Sequence, residues 1–136
     1  MTLTNEDREL LIENYIRKSQ TAIENVDFLI KNNKLSLAIH QCYYGIFYML
    51  SALALNGGFR TSKHEQLIGW FNKTYVKGDI VDKKFGKLVV KAYENRIKGD
   101  YDVFSEFSTE RAEQSFEEMK EVISEIRKLL GLKSAP

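Results

Sequence analysis

Residues 35–55 read LSLAIHQCYYGIFYMLSALAL and form a strongly apolar stretch of this 136-residue chain. At about 100° per residue, the large apolar side chains of this stretch point to every side of a helix. A helix that is apolar all round lies in the middle of a bundle or also lines a subunit interface. Residues 35–55 therefore predict a central helix, and their apolar excess predicts a homodimer. Gly57 and Gly58 follow, and glycine tolerates the positive φ that commonly ends a helix.

Four further segments show the periodicity of amphipathic helices, at residues 5–32, 62–76, 82–99 and 108–130. Thr4 or Asn5 can cap the first of these segments, and Ser108 can cap the last. Ser62 and Glu65 have the spacing of a capping box at the start of the segment 62–76. Since no segment alternates with a period of two over the length of a strand, no sheet is expected. The sequence predicts an all-α fold, an antiparallel bundle of four to five helices in one domain over residues 1–136.

Several classes of protein are disfavoured by the composition. The single cysteine, Cys42, cannot form an intramolecular disulfide or a thiolate zinc site, and on a buried helix it is expected to act as a small apolar residue. The N-terminal residues are charged and unlike a signal peptide, and the apolar stretch 42–55 is too short to span a bilayer. A cytoplasmic location without membrane partners follows by elimination.

Metal and cofactor sites are also not expected. The two histidines, His40 and His64, are far apart in the chain, and no Glu-x-x-His pair occurs. His40 is interpreted as a core imidazole. The phosphate-binding loop motif Gly-x-x-x-x-Gly-Lys-Ser/Thr and the dinucleotide motif Gly-x-Gly-x-x-Gly are both missing from the sequence. The sequence therefore predicts neither a bound metal nor a cofactor.

The net charge of +1 conceals a basic centre. Residues 1–59 carry a net charge of −1, residues 60–101 carry +5, and residues 102–136 carry −3. A basic centre can attract phosphate. The alternative, weighted about equally, is that solvated helix faces simply differ in sign.

Arg96 is the residue that stands out on the helical wheel of segment 82–99. The predicted buried face of that helix consists of Phe85, Leu88, Val89, Ala92 and Tyr93, and five lysines lie on the opposite face, at positions 83, 84, 87, 91 and 98. Arg96 falls in the middle of the apolar face, and Asp100 follows one turn later. A buried guanidinium needs an anionic partner or a hydrated groove. One interpretation, which the wheel alone favours, is an Arg96–Asp100 ion pair; the other is an arginine that binds phosphate bidentately in a cleft.

Three motifs together resemble the HEPN family. Residues 38–47, AIHQCYYGIF, look like the double-tyrosine central helix of HEPN proteins. Lys63–His64 resembles the Lys-His of the same subgroup, and residues 96–101, RIKGDY, resemble its Arg-x-x-x-Asp-Tyr ending of the fourth helix. The resemblance implies a helical bundle that often forms a homodimer. It also implies frequent partnership with a minimal nucleotidyltransferase in toxin–antitoxin or defence modules.

The resemblance also defines the candidate site. Family members that cut RNA carry an arginine and a histidine that are separated by four to six intervening residues. Arg96 matches the arginine, but Tyr101, Asp102 and Val103 occupy the positions where the histidine should fall. Ribonucleases of this kind need an imidazole titrating near neutral pH to move a proton, so the missing histidine argues against RNA cleavage.

Three functions remain open from the sequence. The favoured one is a non-catalytic module that binds RNA or a nucleotide and acts with a nucleotidyltransferase, with Arg96, Lys98, Asp100 and Tyr101 binding phosphate. The second is a divergent ribonuclease toxin in which Arg96 works with a substitute for the histidine, either His64 or Tyr101. The third is a purely structural or oligomerising domain stabilised by the Arg96–Asp100 pair.

Overall fold

The computed structural model describes residues 3–101 and 107–133, with the side chains of residues 99–101 left outside the description. The helices are α1 (Asn5–Lys31), α2 (Leu35–Asn56), α3 (His64–Phe71), a π-helical turn (Asn72–Val76), α4 (Lys83–Tyr101) and α5 (Thr109–Leu129). The two described ranges contain no β-strand. The predicted all-α bundle of five helices is therefore confirmed.

Helix α2 lies at the centre of the bundle and packs against α1, α3, α4 and α5. Thirteen of its residues are buried, so most of the apolar excess predicted for this segment is covered by the chain's own helices. Gly45 lets α1 and α5 pack closely on α2, because an added Cβ would lie 3.2 Å from the Ala22 Cβ of α1 and would collide with the end of the Met119 side chain of α5. Ser19 of α1 donates a hydrogen bond to the Gly45 carbonyl at 2.9 Å. Apolar as α2 is, none of the described helices has the length and hydropathy needed to cross a membrane.

The helix starts show which capping predictions were correct. Thr4 accepts a hydrogen bond from the Asp7 amide at 3.0 Å, and Ser108 accepts one from the Arg111 amide at 3.1 Å, as predicted. Ser62, by contrast, is not the cap of the third helix. The N-cap is Lys63, whose side chain makes no capping bond.

The Thr61 hydroxyl orders the turn before α3. It accepts a hydrogen bond from the Lys63 amide at 3.1 Å and is itself bonded to Gln66 at 2.8 Å. This contact lies in the turn before α3, and the helix begins at His64. The predicted segment 62–76 continues as far as predicted, but after Phe71 it widens into the π-helical turn. Such turns are rare and occur frequently at functional sites.

Helix α4 presents the two faces that the wheel predicted. Phe85 and Val89 are buried, and the other three residues of the apolar face pack half-buried against the core. The five lysines are exposed. Two of them form ion pairs with α5, Lys84 with Glu121 and Lys91 with Glu118, each at 2.9 Å. The basic stripe is therefore partly neutralised by α5.

Candidate functional site

Five aromatic side chains from three helices meet on one side of α2 and are called here the aromatic cluster: Tyr43, Tyr44, Phe47, His64 and Tyr93. His64 stacks on Phe47 with a centroid separation of 4.2 Å and an interplanar angle of 14°. The centroid of the Tyr43 ring lies 5.5 Å from the ring centroids of His64, Tyr44 and Tyr93. The cluster therefore joins the middle of α2 to the start of α3 and to the second half of α4.

Arg96 lies against this cluster. Its guanidinium carbon is 5.5 Å from the centroid of the Tyr44 ring and 5.9 Å from that of Tyr43. A guanidinium at this range from a tyrosine ring is attracted by the ring quadrupole. Arg96 is half-buried, whereas Lys98 is exposed. The structure thus places the guanidinium on the tyrosine pair, and the inward orientation inferred from the wheel is what the folded chain shows.

His64 is held in place by a hydrogen bond with Tyr43. Its Nδ1 atom lies 2.5 Å from the Tyr43 hydroxyl. Burial, and secondly the nearby Arg96 charge, lower the pKa of His64 below its ordinary value, so the imidazole is neutral at pH 7. Burial also raises the pKa of Tyr43 well above its ordinary range, so its hydroxyl stays protonated. The site therefore combines one cation with two neutral polar groups, a set suited to binding an anion.

The fold brings His64 and Arg96 to the same place, since both side chains lie against the rings of Tyr43 and Tyr44. The side chains of Asp100 and Tyr101 lie outside the described residues, as do Asp102 and Val103. The Arg96–Asp100 ion pair and the proposed roles of Asp100 and Tyr101 therefore stay predictions.

The remaining candidates behave as core or near-core residues. Cys42 is buried, and burial, with a smaller contribution from Glu118, raises its thiol pKa to about 12. It is therefore a protonated, inert thiol at neutral pH. His40 is half-buried with its ring 4.9 Å from that of Tyr44. Within the described residues, no three His, Cys, Asp or Glu side chains are grouped as metal ligands.

Sequence reasoning missed Phe47 and Tyr93 as parts of the site. Phe47 lies one turn after Tyr43 on α2, and Tyr93 lies three residues before Arg96 on α4, so each shares a helix face with a residue already singled out. Tyr93 also donates a hydrogen bond to Glu65 at 3.4 Å. These spacings were visible in the sequence, but only the packing of α2 against α4 shows that the two faces meet.

A second set of half-buried rings extends the cluster along α2 and is called here the aromatic strip: His40, Tyr44 and Tyr48 of α2, and Tyr15 of α1. The α2 members follow at intervals of four residues, which places them on one helix face. Ring centroids are 6.0 Å apart for Tyr44 and Tyr48 and 6.3 Å apart for Tyr48 and Tyr15. The ammonium group of Lys18 lies 5.5 Å from the Tyr48 ring. Cations and aromatic faces thus alternate along this side of the molecule.

Comparison with known proteins identifies the family that the chain matches. The HEPN domain model matches residues 12–129. The chain is 32% identical over 124 residues to a UPF0332 protein from Thermotoga maritima, which covers 91% of this chain and 94% of the relative. Two proteins from Methanocaldococcus jannaschii, whose names give a provisional assignment as toxins, are 28% and 27% identical. These matches cover 75% and 94% of this chain, and 69% and 95% of the relatives.

Proposed function

Because the chain belongs to the HEPN domain family, we propose that it is a toxin-type member that binds RNA or a nucleotide without cutting it and acts with a nucleotidyltransferase. The observation that carries the proposal is the Arg96 guanidinium on the Tyr43–Tyr44 pair, beside the neutral His64. A planar cation supported by aromatic faces can bind phosphate while a neighbouring ring stacks on a base. The provisional names of two relatives support the toxin-type role.

Two further features support an RNA ligand. The aromatic strip offers partly exposed rings beside Arg96 and Lys18, and single-stranded nucleic acids bind to such combinations of rings and cations. The exposed lysines of α4 add positive charge on another face of the same helix. Since phosphate contacts release counterions, the affinity for RNA should fall steeply with salt concentration.

The absence of cleavage is proposed from the position of the histidines in the sequence. The ribonuclease motif lacks its histidine after Arg96, and His64 is the imidazole that the fold brings to the site instead. With the imidazole proton on Nε2, Tyr43 donates to Nδ1, and His64 can donate one hydrogen bond to a phosphate oxygen but has no lone pair left to accept a proton. In that state His64 binds phosphate and cannot act as a general base.

RNA binding is tested by fluorescence anisotropy with a labelled single-stranded RNA. We expect Arg96→Ala to weaken binding by at least about tenfold, the effect of losing one charged contact of roughly 1.5–3 kcal/mol. Lys87→Ala is the matched control: it also removes one exposed positive charge from α4, but on the face opposite Arg96, so it should weaken binding much less than Arg96→Ala. Equal affinities for wild type, Arg96→Ala and Lys87→Ala would reject Arg96 as the binding residue.

A nucleotidyltransferase partner and a homodimer are proposed with the same function. Much of the apolar surface of α2 is buried within the chain, but Leu37 of α2 and Phe28 of α1 are exposed, and a second copy could cover them without covering the aromatic strip. Light scattering tests the dimer, with Leu37→Glu expected to give monomers; a wild-type monomer at high micromolar concentration would refute it. Co-purification with a nucleotidyltransferase encoded beside this chain tests the partnership.

The position of His64 favours one alternative function, a ribonuclease toxin. With the imidazole proton on Nδ1, His64 donates to the Tyr43 hydroxyl, and Nε2 keeps a lone pair that could accept a proton from a ribose hydroxyl. Arg96 would then stabilise the negative charge that develops on the phosphate. Growth arrest and RNA cleavage that are lost in both His64→Ala and Arg96→Ala would replace the binding function by this one. Binding of RNA without any cleavage products supports the proposed binding function.

A further inference from the structure

A pocket is lined by Phe47 and His64 of the aromatic cluster, whereas Tyr43 and Arg96 are not among its lining residues. It is formed by α1, α2 and the loop that leads into α3, and it has a volume of about 260 Å³. That volume is close to the lower end, roughly 300 Å³, of sites that hold small organic ligands. The pocket is therefore next to the Arg96 site but has a lining of its own.

Aromatic side chains make up part of the pocket lining. Tyr15, Phe47 and Phe59 line it, with the His64 ring at the wall it shares with the aromatic cluster. Phe59 is held rigidly, because its ring is parallel to that of Trp70 at 5.5 Å and its amide donates to the Ala54 carbonyl at 2.8 Å. A pocket lined by several aromatic side chains, one of them fixed by stacking, suits a flat ring that stacks on them.

Polar groups lie at the rim of the pocket. Arg60, Thr61 and Ser62 line it from the loop before α3, and Arg60 is exposed. The Thr61 hydroxyl already takes part in the turn before α3, which fixes the loop. A guanidinium and a hydroxyl next to an aromatic slot match a ligand with a flat ring at one end and a phosphate at the other.

The pocket is also continuous with the aromatic strip. Tyr15 belongs to both, and its ring stacks on that of Tyr48 at 6.3 Å. Tyr48 lies next to Tyr44, which carries the Arg96 guanidinium. A line of rings therefore runs from the Arg96 site to the mouth of the pocket. A strand whose bases stack along such a line would reach the pocket with its next base.

We propose that this pocket is a second nucleotide subsite, which takes one unpaired base between Tyr15, Phe47 and Phe59 and the phosphate of that nucleotide on Arg60. The inference rests on the proposed RNA binding in one respect: in RNA, the occupant is a neighbour of the nucleotide whose phosphate contacts Arg96. The pocket itself needs only a nucleoside monophosphate.

Isothermal titration calorimetry with adenosine monophosphate tests the subsite on the full chain. Ser62→Trp and Leu11→Trp each place a bulky ring into the pocket, from the loop and from α1, and we expect each to weaken binding by at least about tenfold, the scale of one lost stacking contact. Lys63→Trp is the matched control, because Lys63 is exposed, adjacent to Ser62 and not part of the pocket lining. Wild type and Lys63→Trp should bind equally well, and Arg60→Gln should bind more weakly.

Ribose 5-phosphate serves as the ligand without a base and should bind at least about tenfold more weakly than adenosine monophosphate, since it cannot stack. The proposal is overturned if wild type does not bind adenosine monophosphate, if ribose 5-phosphate binds as tightly, or if both plugged variants bind like wild type. Arg96→Ala separates the two sites. If Arg96→Ala binds adenosine monophosphate, but neither wild type nor any variant binds RNA, the proposed function alone is rejected. If wild type binds RNA but does not bind adenosine monophosphate, the subsite alone is rejected.

Discussion

The hydroxyl of Tyr43 lies 2.5 Å from Nδ1 of His64 and thereby ties the middle of α2 to the first residue of α3. Tyr43 is fully buried, whereas His64 is half-buried and stacked on Phe47. This bond fixes which imidazole nitrogen faces the core, and it leaves the other nitrogen, Nε2, for a ligand. The position of α3 and the chemistry of the candidate site therefore depend on the same contact.

Replacing Tyr43 by Phe should remove this bond and keep the ring packing. We expect the free energy of unfolding to fall by about 0.5–1.5 kcal/mol, the net value of a typical hydrogen bond. Urea denaturation measures the change. Tyr48→Phe is the control, because among the described residues the Tyr48 hydroxyl has no hydrogen-bond partner. If both variants lose the same stability, the Tyr43–His64 bond contributes nothing specific.

The titration of His64 should report the charge of Arg96. Burial and Arg96 both lower the pKa of His64, so Arg96→Gln should raise that pKa towards its ordinary value without restoring it fully. An NMR titration of the His64 ring protons measures this shift. Lys87→Gln, which removes an exposed charge from the same helix, should leave the His64 titration unchanged. An Arg96→Gln protein with a wild-type titration would place the guanidinium too far from His64 to act on it.

The free energy of unfolding should fall in mild acid, because His64 becomes protonated. Because the pKa of His64 is lower in the folded than in the unfolded chain, the unfolded chain binds the proton first as the pH falls. The contribution of neutral His64 to stability is therefore complete above the ordinary pKa, near 6.5. This contribution is lost as the pH falls from there to the pKa that His64 has in the folded chain. Urea denaturation at several pH values should show a smaller loss in His64→Gln than in wild type; identical pH profiles would contradict the prediction.

Asn95 should stabilise the contact between α4 and α5. It is buried and accepts a hydrogen bond from the Arg111 guanidinium at 2.8 Å. Asn95→Ala should lower the free energy of unfolding by about 1 kcal/mol, the net value of one hydrogen bond. The loss should not be larger, because Arg111 is exposed and its guanidinium can bind water instead. The exposed Asn14, which accepts from Arg17 within α1, provides the comparison. Its replacement by Ala should change stability by less than about 0.5 kcal/mol, and an equal loss in both would show that the interhelix bond is not special.

Cys42 should be unreactive in the folded chain. It is buried, and its pKa of about 12 leaves almost no thiolate at neutral pH. A colorimetric thiol reagent should therefore label Cys42 slowly in native protein and completely in denaturant. Rapid labelling of native protein at pH 7 would mean that the α2–α5 contact opens readily.

Much of the fold could be predicted from local patterns. The apolar run 35–55 predicted a central helix, and Thr4 and Ser108 predicted helix starts, because caps and periodicity depend on residues a few positions apart. The start of α3 was predicted wrongly for the same kind of reason. Ser62 has the spacing of a capping box, but α3 begins at His64 with Lys63 as its N-cap, and the Thr61 hydroxyl accepts a hydrogen bond from the Lys63 amide in the preceding turn. The spacing alone did not show how this turn would be hydrogen-bonded.

The sequence by itself determined that Arg96 lies on the apolar side of its helix, because the lysines of α4 occupy the opposite face at helical spacing. Only the tertiary structure decided what Arg96 faces. His64 is 32 residues before Arg96, and the two side chains share the tyrosine pair because α3 and α4 both pack against α2. Helical periodicity fixes the direction of a side chain about its own helix axis, whereas the neighbour in that direction depends on how the helices pack together.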